Sequence, residues 1–250
     1  MRKSPEIRVL VPVAILKGQV IPDQMVRLLS RATVVLLGYY EIPEQTAPDQ
    51  AREQFEAKAQ HELQDLVDAF ESCGSTVETR LVFTHNISQT TDRIATEANC
   101  DAVLLSNPAP TIDRIIVPIK ERINAEAIAK VVAGVSSHQA VEVTLFHAAS
   151  DEADVQYGEQ LLGEVSDELV VLGVSRDQLN RVVTVAQNPL QALIVAAENH
   201  DVVIMGEEEP TIRGRLFGET SDRVAEQTVG PVLVVRRPLE PNKSGDSREN

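Results

Sequence analysis

A polar loop near the end of the chain offers the clearest candidate chemistry, which is the binding of an anion. It follows the apolar run 202–205 and contains Gly206, Gly214, Thr220 and Ser221. Near-continuous apolar runs of this kind predict strands covered on both faces of a parallel sheet. Ligands bind at the carboxyl ends of such strands, where the N–H groups of turns and helix N-termini hold phosphates. The sequence therefore places a candidate site directly after this run.

The same loop carries charge that opposes phosphate binding. Three adjacent glutamates occupy positions 207–209, and Arg213 and Arg215 offset them only in part. One pair of unit charges 4 Å apart costs about 4 kcal/mol at an effective dielectric near 20, comparable with a millimolar binding free energy. An acidic surface loop is therefore favoured. The alternative is a remodelled anion site formed by the glycines and hydroxyl groups, with Lys120 as a further anion contact.

Other catalytic or metal-binding patterns are absent from the sequence. It contains no G-x-S-x-G elbow, no Walker loop and no G-x-G-x-x-G, so we predict no catalytic residue and no enzyme. None of the histidines lies at the spacing of a known metal motif, so we predict no metal and expect solvated or capping histidines (His61, His85, His138, His147 and His200). Cys73 and Cys100 adjoin apolar stretches and are predicted to be half-buried packing residues.

Composition limits the classes of protein to consider. At 250 residues the chain is long enough for one large domain or two ordinary ones, and its 43% hydrophobic residues support a packed core. The formal charge of -15 and pI near 4.8 argue against binding nucleic acid or an anionic membrane surface. With two cysteines, no signal-peptide pattern and no run long enough to cross a bilayer, we expect a cytoplasmic protein.

The order of hydrophobic patterns predicts an α/β protein. Apolar runs alternate with stretches whose apolar residues recur every three or four positions, which indicates strands alternating with amphipathic helices. This alternation is typical of a doubly wound parallel sheet with right-handed crossovers. The predicted strands are 7–13, 33–40, 76–83, 101–106, 114–119, 141–147, 181–185, 201–206 and 231–235.

The chain also repeats itself. The segment 114–119 resembles 8–13, with Pro118 lying 106 positions after Pro12, and 199–204 resembles 99–104 at an offset of 100. Two matches in the same order indicate a tandem duplication. We predict a first domain at 1–108 with four strands, a second at 109–238 with five, and a disordered tail at 239–250.

The end of the second copy resembles the C-terminal half of a universal stress protein domain. The matching residues are Met205-Gly206, Gly218 with the helix that follows it, and 230–236, within the pattern strand, G-x2-G-x9-G-(S/T), helix, P-V-L-V-V strand. This resemblance implies two Rossmann-like doubly wound domains in tandem, the first lacking its last helix and strand. It also implies a non-enzymatic regulatory role in the stress response.

The residues that hold nucleotide in this family do not match. Members that bind ATP use an acidic residue just after the first strand, where this chain has Ala14 in the first copy and Lys120 in the second. The second loop glycine is replaced by Glu209, and the Ser/Thr position by Glu219. The resemblance therefore implies a degenerate nucleotide site and no cofactor, with ATP or AMP bound through a modified loop as the alternative.

The last strand is the predicted interaction surface. In the family it is an edge strand that pairs with its equivalent in a partner domain, and the first copy has no such strand to offer. We therefore predict a homodimer through Pro231, Val232, Leu233, Val234 and Val235. The alternative is that the linker after Pro108 or the tail after Arg237 covers this edge.

Three functions follow from the sequence. The favoured one is a cytoplasmic regulatory protein that interacts with an unidentified protein partner and does not bind nucleotide. The second is a switch that binds ATP or AMP. The third is a regulatory partner of a membrane transporter, because similar tandem domains occur fused to transporters.

Overall fold

A computed structural model describes residues 5–105, 111–207, 219–227 and 230–237, with only the backbone given for 219–222. The strands are β1 (Arg8–Ala14), β2 (Thr33–Glu41), β3 (Thr76–Thr84), β4 (Ala102–Leu105), β5 (Arg114–Pro118), β6 (Glu142–Ala149), β7 (Leu179–Val185), β8 (Val202–Gly206) and β9 (Val232–Val235). The helices are α1 (Asp23–Leu28), α2 (Pro48–Ser72), α3 (Ile87–Glu97), α4 (Ala125–Ser136), α5 (Glu152–Val171), α6 (Pro189–Ala197) and α7 (Glu219–Gln227). The predicted linker near Pro108 and the predicted tail lie outside the described residues.

The strands form one continuous nine-stranded sheet in the order β3-β2-β1-β4-β9-β8-β5-β6-β7. The order β3-β2-β1-β4 of the first half recurs as β7-β6-β5-β8 in the second, where β9 is added beside β8. Neighbouring strands are parallel except at the junction of β4 and β9, which is antiparallel. This confirms the predicted fold of two tandem doubly wound halves, the first lacking its last helix and strand.

The antiparallel junction gives the two halves opposite polarity in the sheet. Because β9 runs against β4, the carboxyl ends of β1 to β4 lie at one edge and those of β5 to β9 at the other. The crevices in which ligands bind to open α/β sheets are therefore at opposite edges in the two halves.

Helices cover both faces of the sheet. The larger core cluster packs α1, α2, α4 and α5 against one face, and the second cluster packs α3, α6 and α7 against the other. Successive strand residues alternate between the two clusters, as Val9, Leu10 and Val11 do in β1. Both clusters contain residues from both halves, so the two copies share a continuous core.

Helix α4 is buried almost all round and helps to join the halves. Its small residues are buried together with its branched ones, among them Ala129, Ala133 and Gly134, which is typical of a helix covered on most of its surface. A Cβ at Gly134 would lie 2.8 Å from the side chain of Ile7 in the first half. The helix therefore belongs to the second copy by sequence and packs against both.

The repeated aspartate has a structural role in each copy. Asp101 Oδ2 accepts a hydrogen bond from the N–H of Arg8 at 2.8 Å. Asp201 Oδ2 accepts hydrogen bonds from the N–H groups of Asp113 and Arg114, each at 2.8 Å. The two aspartates thus satisfy backbone donors at the starts of β1 and β5. This contact explains one of the two sequence matches without invoking chemistry.

The repeated prolines lie where strands separate. Pairing between β1 and β4 covers only Val9 and Leu10, and pairing between β5 and β8 covers only Ile115 and Ile116. Pro12 and Pro118 come two residues later, where the ladder to the neighbouring strand has ended, so a missing N–H is tolerated there. These junctions, β1 with β4 and β5 with β8, are the positions in the strand order where open α/β sheets bind ligands.

The long helices end in the same way in both copies. Gly74 follows α2 with φ of +101°, and Gly173 follows α5 with φ of +105°, a conformation that favours glycine over other residues. At 25 residues α2 is the longest described helix. None of the helices that the structure describes is long and apolar enough to cross a bilayer.

Candidate functional site

The candidate site lies at the edge where β5, β8 and β9 end. Gly206 is the last residue of β8, and Asn124 and Ile128 approach it from the start of α4. A Cβ at Gly206 would lie 3.2 Å from Ile128 Cδ1 and 3.5 Å from Asn124 Cβ. Glycine therefore allows α4 to pack closely over the end of β8.

The residues predicted from sequence divide into three groups. Gly206 is at this edge, as expected, whereas Lys120 is exposed just after β5 and makes no hydrogen bond or ion pair with the described part of the chain. Thr220 and Ser221 lie near the start of α7, which the structure describes there by its backbone alone. Gly214 and Gly218 lie outside the described residues.

Glu207 is tied to the end of β9, a contact that the sequence did not reveal. Its N–H donates to the Val235 carbonyl at 2.7 Å, and its Oε2 accepts the N–H of Arg237 at 3.3 Å. Its own carbonyl accepts Arg237 Nε at 3.3 Å and Asn124 Nδ2 at 3.5 Å. The first residue after β8 is thus held by both its backbone and its side chain. The thirty residues that separate Glu207 from Arg237 leave no local sequence signal for this pairing.

The surroundings of Glu207 destabilise the ionised form of its carboxyl group. Burial raises the pKa of this carboxyl group above its ordinary value, and Asp92 raises it further. The N–H of Arg237 and the positive charges of Arg236 and Arg237 lower the pKa, but burial is the largest cause and the net shift is upward. A carboxylate at this position is therefore less stable than one in water.

This upward shift predicts that Glu207→Gln stabilises the protein at neutral pH. A carboxyl group whose pKa is raised on folding costs stability only when it is ionised, so the cost is absent below the pKa of the unfolded chain and appears as the pH rises through the folded value. The gain from Glu207→Gln should therefore increase from pH 5 to pH 8 in urea unfolding. Equal gains at both values, or a loss at pH 8, would contradict the prediction.

The predicted dimer interface lies inside the sheet. Strand β9 pairs with β4 on one side and with β8 on the other, and its residues are buried. The expectation that 231–235 forms a free edge is therefore wrong. Strand β4 of the first copy pairs with β9 on the side that the prediction left open. The outer strands of the described sheet are β3 and β7.

Arg236 joins the two halves just beyond this strand. Its N–H donates to the Asp101 carbonyl at 2.8 Å, and its guanidinium donates to Asp92 Oδ1 at 2.8 Å and to Thr96 Oγ1 at 3.1 Å. Its side chain is only 14% exposed. The arginine lines a cleft of 740 Å³ between the two halves, and Lys130 and Leu172 also line it. Lys130 is itself paired with Asp101 at 2.6 Å.

The second half of the chain matches a known protein family. Residues 111–236, just over half of the chain, match the family model described as the universal stress protein family. The chain belongs to this family. No curated protein sequence matches it significantly. The matched segment contains β5 to β9, so the family assignment covers the half that carries the candidate site.

Solved structures share the fold over nearly the whole chain. A universal stress protein from Archaeoglobus fulgidus is 14% identical with a TM-score of 0.63, and the match covers 93% of this chain and 97% of that one. A putative universal stress protein from Pseudomonas aeruginosa is 15% identical with a TM-score of 0.56, covering 93% of each. The cytoplasmic domain of a prokaryotic cation chloride cotransporter is 12% identical with a TM-score of 0.54, covering 94% and 97%. Identities this low support the fold alone.

In the first half of this universal stress protein, backbone N–H groups at the end of β1 donate hydrogen bonds to side chains of the same half. At the carboxyl end of β1, the N–H of Ala14 donates to Gln19 Oε1 at 2.8 Å and the N–H of Leu16 to Glu62 Oε2 at 2.7 Å. Leu16 adopts a positive φ of 66° within this turn. These two N–H groups are therefore bonded to side chains of the same half, and the N–H of Ile15 between them is bonded to backbone carbonyl groups.

His147 is a buried packing residue, so the expectation of solvated or capping histidines is wrong for it. Its Nδ1 donates to the Ile119 carbonyl at 2.8 Å, and the ring packs against Gly158. Its Nε2 lies 3.7 Å from Asp154 Oδ1. Among the described residues no group of three or more potential ligands could hold a metal ion.

The two cysteines differ in exposure. Cys100 is buried, and burial raises the pKa of its thiol to about 11, so the thiol stays protonated at neutral pH. Cys73 is exposed, which differs from the predicted half-buried packing role.

Proposed function

We propose that this universal stress protein is a cytoplasmic, non-enzymatic regulatory protein whose second half does not bind ATP in the manner of nucleotide-binding family members. The observation that carries the proposal is the position of Glu207. Its carboxylate lies at the strand end where phosphate would be held and is bonded to the N–H of Arg237. A polyphosphate at this edge would meet a fixed negative charge.

Two further observations support the proposal. The position where the family's acidic residue would contact adenosine carries Lys120, which is exposed and opposite in charge. In the first half, β9 occupies the place beside β4 as an antiparallel strand, so no parallel strand and preceding loop extend that half. Neither copy therefore offers the paired set of an acidic residue and a phosphate-binding turn.

Calorimetric titration with Mg²⁺ and ATP, and separately with AMP, tests this proposal. We expect no saturable heat, and no rise in unfolding temperature beyond that caused by Mg²⁺ and GTP at equal ionic strength. A ligand at one hundred times its dissociation constant would add about 2.7 kcal/mol to the free energy of unfolding. A saturable gain specific to adenine nucleotides, or adenine nucleotide recovered from the purified protein, would refute it.

A further inference from the structure

Strand β7 is an outer strand of the sheet, and within the described part of the chain β6 is its one neighbour. The N–H of Ala186, the residue that follows β7, donates to the Ala149 carbonyl of β6 at 2.9 Å. Because backbone groups alternate between the two sides of a strand, those of the odd-numbered residues of β7 point away from the sheet. A row of outward-pointing N–H and C=O groups is a template for another strand.

The side chains of β7 favour contact with a second copy of the chain. Most residues of the strand are exposed, and two of them are valines, Val182 at 40% and Val185 at 53%. Residues 178–186 contain no acidic side chain, and Arg181 is their one charged residue. A partner of opposite charge would be drawn to the acidic surfaces of a chain with net charge -15, whereas a second copy is repelled by them. Two copies therefore meet with least repulsion where acidic residues are missing.

The equivalent strand of the first copy, β3, carries charges at the matching positions. The strand registers and the repeated strands β1 and β5 align position 78 with 180 and position 80 with 182. Position 78 is Glu78, which pairs with Arg8 at 2.9 Å, and position 80 is the exposed Arg80. The second copy has Asn180 and Val182 instead. Charged side chains on an edge oppose pairing with another strand, so β7 is the unprotected outer strand of the two.

We propose that β7 is a self-association surface, at which two copies of the chain pair their β7 strands antiparallel about a two-fold axis. The seven residues overlap completely when the axis passes through their midpoint, Val182. Arg181 then lies opposite Val183 of the second copy, and Leu179 lies opposite Val185, so the outward-pointing backbone groups bond to one another. Because β3 is protected, the assembly closes as a dimer and does not extend into a filament.

Light scattering after size exclusion, across micromolar concentrations, tests the proposal. We expect a mass of twice 27.4 kDa at the upper end. Val182→Lys should raise the dissociation constant of the dimer by about tenfold or more, because two like charges would lie directly opposite each other. Val20→Lys is the matched control: this valine is 77% exposed in the first half, away from β7, and the change should leave the dissociation constant unaltered.

A disulfide maps the register of the pair. In a Cys73→Ser background, Val182→Cys should link two chains on oxidation, because residues opposite each other in an antiparallel pair lie about 4.5–5.5 Å apart, within reach of a disulfide. Val185→Cys is the control on the same strand. Its copy lies six positions away along the paired strands, about 20 Å at 3.4 Å per residue, so it should stay unlinked.

Three results would overturn the proposal. The first is a native protein that stays monomeric throughout this concentration range. The second is a dimer that Val182→Lys leaves intact or weakens no more than Val20→Lys does, which would mean that another surface joins the chains. The third is cross-linking of Val185→Cys as efficient as that of Val182→Cys. The titrations with nucleotide are independent of all three.

Discussion

Replacing Leu233 with alanine is expected to lower the free energy of unfolding by about 2–5 kcal/mol, the range found for large-to-small changes in packed cores. Leu233 is fully buried at the centre of β9 and lies opposite Leu104 in the first half and Ile204 in the second. The cavity would therefore open at the seam between the halves. Urea unfolding followed by circular dichroism measures the loss.

The location of the damage is as informative as its size. Hydrogen exchange resolved by peptide should show faster exchange in β4 and in β8 together, because one strand supports both. Val182→Ala is the control: this residue is on the outer strand β7 and is 40% exposed, so the change should stay within about 0.5 kcal/mol. Faster exchange in β8 with β4 unchanged would show that β9 does not stabilise the first half.

The second large effect is expected from Gly230→Ala, at about 3 kcal/mol of destabilisation. A Cβ at this position would overlap the main-chain carbonyl oxygen of Asp201 and lie 2.9 Å from its carbonyl carbon. A flexible side chain could relieve such an overlap by changing its rotamer, but backbone atoms cannot, so β9 or the start of β8 must shift. The shift would also disturb the bonds from Asp201 to the N–H groups of Asp113 and Arg114. Thermal unfolding of the variant measures the loss.

Gly163→Ala provides the matched control for that substitution. Gly163 lies inside α5, and the nearest atom to an added Cβ is the flexible end of Arg181, with Nη1 at 3.2 Å. Alanine is the better helix former by about 1 kcal/mol, so this variant should be as stable as the native protein or more stable. Equal losses of stability in the two variants would mean that the close approach of Gly230 to the Asp201 backbone does not cause the destabilisation.

Much of the fold could be predicted from the sequence because side chains encode burial. The apolar runs at β1, β5 and β8 and the three- and four-residue spacing in α2 reflect which faces are covered, and the repeated Asp101 and Asp201 show the duplication. The extensive burial of α4 also has a signal in the sequence, because Glu126 and Lys130 are its only charged residues and the others are small or apolar.

The partner of β9 could not be predicted in the same way. Strands pair through backbone groups that every residue carries, so the sequence 231–235 shows that two faces are buried and not which strand lies at each edge. The family resemblance predicted that β9 pairs with a strand of a second chain, whereas in the structure it pairs with β4 of the same chain. The pairing of Glu207 with Arg237 likewise depends on β8 and β9 being adjacent, which only the fold establishes.

The most direct test of this architecture is a disulfide between β4 and β9. Ala102 and Val235 lie opposite each other in the antiparallel ladder and belong to the same core cluster. In a Cys73→Ser, Cys100→Ala background, Ala102→Cys with Val235→Cys should form a bond within one chain, seen as an oxidised monomer and mapped by mass spectrometry. The pair Ile115→Cys with Val202→Cys, across β5 and β8, serves as the reference. Disulfide-linked dimers, or no bond while the reference pair forms one, would contradict a sheet that β9 completes within a single chain.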